Sequence, residues 1–204
     1  MRYVDPTAGH LESGYDLYVV LVNTSSVVSQ AIAAVTKDAY THAAISLDRN
    51  LMDMYSFGRR WSHYPFWGCF HRENLHEGFY ARNDVLPGVV LRLKVTPEQY
   101  ARARGVIQHF RANHREFRYD TIGLLGNAMG LTLESRRRYT CSKFVASVLA
   151  EAGICSFEKP LAVIRPQDLA GLPGQVVYRG DLKRYAAMAP APVRVPITLA
   201  PTVA

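Results

Sequence analysis

Tyr139-Thr140-Cys141-Ser142-Lys143-Phe144-Val145-Ala146-Ser147-Val148-Leu149-Ala150 is the stretch that decides how the chain is read. Phe144, Val145, Val148 and Leu149 recur at helical spacing and give the segment one apolar face. Thr140 is a favourable N-cap, and Gly153 follows the last periodic residues as a stop signal. The pattern predicts a buried helix with Cys141 in its first turn. A helix N-terminus presents unpaired N–H groups and partial positive charge, which favour a thiolate over a thiol. A cysteine there is suited to act as a nucleophile. The competing reading is a small buried core residue.

A partner far upstream favours the nucleophile. His42 lies in Tyr40-Thr41-His42-Ala43-Ala44-Ile45-Ser46-Leu47-Asp48, a short apolar-rich run that ends in the turn signal Asp48-Arg49-Asn50. A second run, Leu51 to Phe57, is closed by Gly58. Two strands about a turn predict a hairpin with His42 near one end. A histidine on a strand beside a cysteine at a helix start is the layout of a thiol hydrolase.

Four ordered segments then carry a resemblance: Thr41-His42 to Leu47-Asp48, Met54-Tyr55-Ser56-Phe57-Gly58-Arg59, Tyr139-Thr140-Cys141-Ser142-Lys143-Phe144-Val145 and Arg165-Pro166-Gln167-Asp168-Leu169. Together they resemble the circularly permuted branch of the NlpC/P60 papain-like superfamily, within it a bacterial YiiX-like group, over roughly residues 15 to 180. In that branch the His-bearing strand precedes the Cys-bearing helix, whereas in papain the cysteine comes first. The resemblance implies an α+β fold, with an antiparallel sheet packed against the Cys-bearing helix, and peptidase, amidase or acyltransferase chemistry. It also implies that Pro166-Gln167-Asp168-Leu169 forms the short turn that follows the Cys helix. For Asp168 the capping of a turn is the reading preferred over a catalytic role.

Composition sets the outer bounds. A chain of 204 residues with 49% hydrophobic and 20% charged content suits one globular domain, expected over 15–185. Residues 1–14 read as a loose lead-in and 186–204 as an Ala/Pro-rich extended tail. The net charge of +7 is scattered, with small clusters at Arg59-Arg60 and Arg136-Arg137-Arg138. No nucleic-acid motif accompanies it, so no nucleic-acid partner is expected. A basic face can still draw an anionic surface or wall polymer. Three cysteines, Cys69, Cys141 and Cys155, make no even disulfide framework. Met1 to Glu12 lacks the pattern of a signal peptide, and no apolar run reaches spanning length. A cytoplasmic location is the expectation.

The remaining segments read in order. Asp16 to Val22 is a buried strand, and Thr24-Ser25-Ser26 caps a helix through about Val35. Residues 58 to 87 are less regular, and the aromatic, basic stretch Arg59 to Phe70 reads as a flap or substrate wall. His63, His71 and His76 with Cys69 fit no standard zinc spacing, so neither a metal nor another cofactor is expected. Val89 to Val95 is a strand, followed by a capping box at Thr96-Pro97-Glu98-Gln99 and a helix to about Asn113. Phe117 to Asn127 reads as a second helical segment, and Gln175 to Tyr178 as the last strand.

Cys141 as nucleophile and His42 as base require a third group on the other imidazole nitrogen. If the hairpin turns about Arg49, Ser56 stands opposite His42. Asp53 is the better orienter chemically but has the wrong strand parity unless a bulge intervenes. Both stay open. The oxyanion hole is expected to include the Cys141 N–H. The leading expectation is a thiol hydrolase or acyltransferase that forms an acyl-enzyme at Cys141 on an amide or ester, with a cell-wall peptide or lipid-like substrate. The alternatives are a catalytically silent binding protein on the same fold and a membrane-surface protein using its basic charge.

Overall fold

The structure, a computed structural model, describes residues 2–3, 14–24, 38–59, 68–81, 83–120, 123 and 135–188. It is a mixed α+β architecture around an antiparallel sheet. Ten strands are present among these residues: β1 (Arg2–Tyr3), β2 (Tyr15–Val22), β3 (His42–Ser46), β4 (Met54–Arg59), β5 (Gly68–Glu73), β6 (Pro87–Val95), β7 (Arg118–Tyr119), β8 (Arg138–Tyr139), β9 (Cys155–Ser156) and β10 (Gln175–Asp181). The helices are α1 (Gly78–Ala81), α2 (Pro97–Ala112), α3 (Cys141–Glu151), α4 (Pro166–Leu169) and α5 (Leu182–Met188). Six strands form the main sheet in the order β10-β6-β2-β3-β4-β5, every pairing antiparallel.

Both faces of the sheet are covered, and this explains the continuous apolar run of β2. Leu17, Val19 and Leu21 join Ala43, Ile45, Phe57 and Leu91 in the larger core, which α2 and α3 close with Ala103, Ile107, Phe110, Phe144, Val145 and Val148. The alternate residues Tyr18, Val20 and Val22 point the other way, into a smaller core with Ala44, Met54, Leu75, Tyr80, Val90, Leu182 and Tyr185. A strand buried on both faces has no polar alternation to show.

The helix termini follow from their caps. Thr96 Oγ1 accepts from Gln99 N–H at 3.2 Å, and Gln99 Oε1 accepts from Thr96 N–H at 3.0 Å, a complete capping box at the start of α2. Thr140 Oγ1 accepts from Lys143 N–H at 3.2 Å, which starts α3 at Cys141. At its other end Gly153 takes φ +71°, with bonds from Gly153 N–H to Ala150 O (3.0 Å) and from Ile154 N–H to Leu149 O (2.9 Å). That pair is a Schellman stop, which glycine adopts without a Cβ penalty.

Several expected elements differ. Gly68–Glu73, within the stretch read as irregular, is the edge strand β5. Arg118–Tyr119, read as part of a helix, is a strand parallel to Arg138–Tyr139. The carbonyls of Arg137 and Tyr139 take the N–H groups of Arg118 and Asp120 at 2.8 and 3.0 Å, so these amides serve a ladder and not a helix. The lead-in is not wholly loose, because Arg2–Tyr3 pairs with Cys155–Ser156. Helix α5 runs three residues into the expected tail. The helix expected through Val35, the aromatic stretch at 60–67 and the tail from 189 lie outside the described residues.

Candidate active site

The site forms at the end of the sheet where β3 begins and the N-terminus of α3 reaches it. Cys141 is the first residue of α3 and only 6% exposed. The groups that lower its thiol are the His42 side chain first, then the backbone N–H groups of Ala43 and Ser142. Ala43 lies on the sheet face that α3 covers, and His42 precedes it on β3. The helix start and the strand start thus meet through one thiol.

The other side of His42 meets a buried carboxylate. His42 Nε2 donates to Glu73 Oε1 at 2.9 Å, which leaves Nδ1 as the ring nitrogen that Glu73 does not engage. The same Oε1 accepts from Ser56 Oγ at 2.5 Å and lies 3.5 Å from His71 Nε2. Glu73 Oε2 accepts from the Tyr80 hydroxyl at 2.9 Å. Tyr80, on α1, also meets the His42 ring edge-on at a centroid distance of 6.2 Å. With its side chain 4% exposed, Glu73 is satisfied on both oxygens by protein groups. His71 Nδ1 is held by the Cys69 carbonyl at 3.0 Å.

Electrostatics tie these groups into one unit. Burial by itself raises a carboxyl pKa, but the charge and hydrogen bond of His42, with help from His71 and Ser56, hold Glu73 at about 2. Burial by itself lowers a histidine, yet the Glu73 carboxylate and the Cys141 sulfur hold His42 well above its ordinary value. Burial likewise opposes a thiolate at Cys141, and the His42 charge, its hydrogen bond and the two N–H groups outweigh it and lower the thiol. Cys155 has burial alone and is pushed up to about 11. Burial and the neighbouring Glu73 charge keep Tyr80 protonated far into the alkaline range.

The expected site residues divide. Cys141 and His42 come together. Ser56 shares their network but bonds Glu73 and not the imidazole. The reason is register: Ile45 pairs with Tyr55 and Ser46 with Met54, so continuing the pairing sets His42 opposite Gly58, two residues beyond Ser56. A Cβ at Gly58 would lie 3.4 Å from His42 Cε1 and 3.1 Å from His71 Cε1, so the two imidazoles converge over a residue without a side chain. Asp53 does not reach the site. It sits five residues of strand from Gly58, about 17 Å along β4, and on the Tyr55 face of the strand, not the Ser56 face. There its carboxylate accepts from Tyr55 OH at 2.7 Å and faces Arg72 at 3.9 Å. Asp168 accepts from Arg165 N–H at 2.9 Å, as a capping residue does.

Glu73 and Tyr80 were not singled out from the sequence. The signal for Glu73 was the alternation Cys69-Phe70-His71-Arg72-Glu73, in which Phe70 points into the larger core and 69, 71 and 73 share the opposite face. Tyr80, on a single helical turn, carries no comparable signal. Among the described residues no group of three or more His, Cys, Asp or Glu is arranged to hold a metal ion. No helix among them is long and apolar enough to cross a membrane. Compared with known proteins, the chain matches no family model, no curated protein and no solved structure.

Proposed function

We propose that the chain is a thiol hydrolase or acyltransferase, with Cys141 as nucleophile, His42 as general acid and base and Glu73 as the group that orients His42. The observation that carries this reading is the 2.9 Å bond from His42 to buried Glu73, beside a helix-start thiol that the His42 charge lowers. The thiolate attacks an acyl carbon. The imidazolium then passes its Nδ1 proton to the departing amine or alcohol, which leaves an acyl thioester and a neutral imidazole. That imidazole takes a proton from water, or from an acceptor hydroxyl or amine, as it attacks the thioester. The released thiolate and the imidazolium restore the starting pair. The N–H of Cys141, free of an intrahelical acceptor by its place in the first turn, is an oxyanion donor in this scheme.

The order of the parts, histidine strand first and cysteine helix after, is what a circularly permuted papain-like NlpC/P60 core would have, and this supports that assignment. An amide or ester in a cell-wall peptide or a lipid-like molecule is the substrate class in keeping with the resemblance. A purely binding role drew its support from the open choice of third group between Ser56 and Asp53, and Glu73 is suited to that place.

The test is turnover of an activated ester such as p-nitrophenyl butyrate, followed by intact mass. The expected result is a burst, an acyl adduct on Cys141 and continued turnover, all lost in Cys141→Ala. Equal ester consumption by wild type and Cys141→Ala would overturn the proposal.

A further inference from the structure

The four residues that lead into His42 are each held by a different partner. Asp38 meets Arg165 Nη1 at 3.2 Å, and its side chain is only 10% exposed. Ala39 N–H donates to Gln167 Oε1 at 3.0 Å. The Tyr40 hydroxyl accepts from Arg179 Nη1 at 2.8 Å. Thr41 N–H donates to Val22 O at 2.9 Å, and its hydroxyl meets that of Thr24 at 2.9 Å. Two of these partners, Arg165 and Gln167, belong to one short segment around α4. The residue just before them, Ile164, accepts from Ser142 Oγ at 2.5 Å, one position after the nucleophile. Residues 164 to 167 therefore hold the start of the cysteine helix with one hand and the approach to the histidine strand with the other. Leu169 is fully buried, and Asp168 braces Arg165 through its N–H, so the segment is itself fixed.

We propose that Gln167 and Arg165 are positioning residues that set the separation of Cys141 and His42. This rests on the reading of that pair as nucleophile and base. Neither residue touches the reacting atoms. Each restrains the two or three residues through which His42 is delivered, and a thiolate–imidazolium pair is sensitive to small displacements. Two glutamine roles are separable here: volume, which leucine keeps, and the acceptor oxygen, which leucine lacks and glutamate retains.

The experiment is the iodoacetamide rate of Cys141 against pH in wild type, Gln167→Leu, Gln167→Glu and Asp38→Asn, with circular dichroism on each. In Gln167→Leu the thiol midpoint should rise by about one pH unit, which slows alkylation about tenfold at any pH below the wild-type midpoint and leaves the rate at pH 10 unchanged. Gln167→Glu should restore the wild-type profile to within about twofold, since it accepts the same N–H. A merely structural role would lower the melting point without moving the midpoint. A folded Gln167→Leu with the wild-type profile, or a Gln167→Glu shifted as far as Gln167→Leu, would overturn the proposal. Should Gln167→Leu fail to fold, Asp38→Asn, which keeps shape and removes the charge facing Arg165, decides by the same midpoint. A wild-type Cys141 that titrates as a free thiol would instead refute the nucleophile–base pair, and the clamp with it.

Discussion

Replacing Glu73 by glutamine changes one charge at the centre of the site and almost no volume. Glu73 ionises at about 2 against an ordinary 4.5. At roughly 1.36 kcal/mol per pKa unit, that difference is about 3 kcal/mol in favour of the folded state with Glu73 ionised. The same ion pair raises His42, so this contribution is counted once and not once per partner. A depressed carboxyl stabilises the fold above its unfolded pKa and loses that contribution as pH falls through the folded value. The window is therefore from about pH 4.5 down to about pH 2. Glu73→Gln should be less stable than wild type by about 3 kcal/mol at pH 7. The gap should close across that acid window, because glutamine has no proton to gain. The variant should also slow alkylation of Cys141 near neutrality, because His42 loses the charge that keeps it protonated beside the thiolate. Urea unfolding from pH 2 to 8 measures the first effect, and the iodoacetamide profile the second. Parallel stability curves for the two proteins through the acid window would refute the argument that Glu73 is an ionised partner of His42.

Three further outcomes are expected. Cys141 should alkylate at mildly acidic to neutral pH and Cys155 only above about pH 10, and His42→Ala should move Cys141 towards about 8.5; peptide mapping of the adducts checks this, and a faster Cys155 contradicts it. Cys141→Ala should remain folded and lose less stability than the ~3 kcal/mol typical of a core Leu→Ala change, as denaturant titration will show. Tyr80→Phe removes one donor from the Glu73 carboxylate, so it should cost about 2 kcal/mol and raise the pH of acid unfolding; an unaltered acid midpoint would mean that the 2.9 Å contact contributes nothing.

What could be read from the chain alone was whatever is decided within one turn or one strand. Thr140 and Gly153 mark the ends of α3 because capping is a bond between residues three to five apart. The hairpin was equally local, but its register was not. Asp48 accepts from Ser46 Oγ at 2.9 Å, Asp53 N–H at 2.8 Å and Met52 N–H at 3.2 Å, and Leu51 takes φ +57°. A loop closed by one carboxylate is asymmetric, so counting residues outward from Arg49 misplaces the pairing. The shift is of two residues, an even number. Ser56 therefore kept its face and joined the network even though its partner was not the one expected.

Glu73 was missed for a different reason, one of distance along the chain. It is 31 residues from His42 and meets it because β5 pairs with β4, which pairs in turn with β3. Nothing within the segment 68–73 says which strand it joins. Asp53 was the nearer carboxylate, and its own surroundings explain why it could not serve. It lies at the loop end of β4, with its acid side chain 42% exposed between Tyr55 and Arg72, where solvent screens the charge. Glu73 lies one strand further out and points at the same sheet face as His42. There a charge can be buried only because four side chains, His42, Ser56, His71 and Tyr80, surround it. A carboxylate so enclosed is costly to the fold unless the imidazole beside it is charged, and that requirement is what couples stability to the protonation state that the proposed chemistry would use.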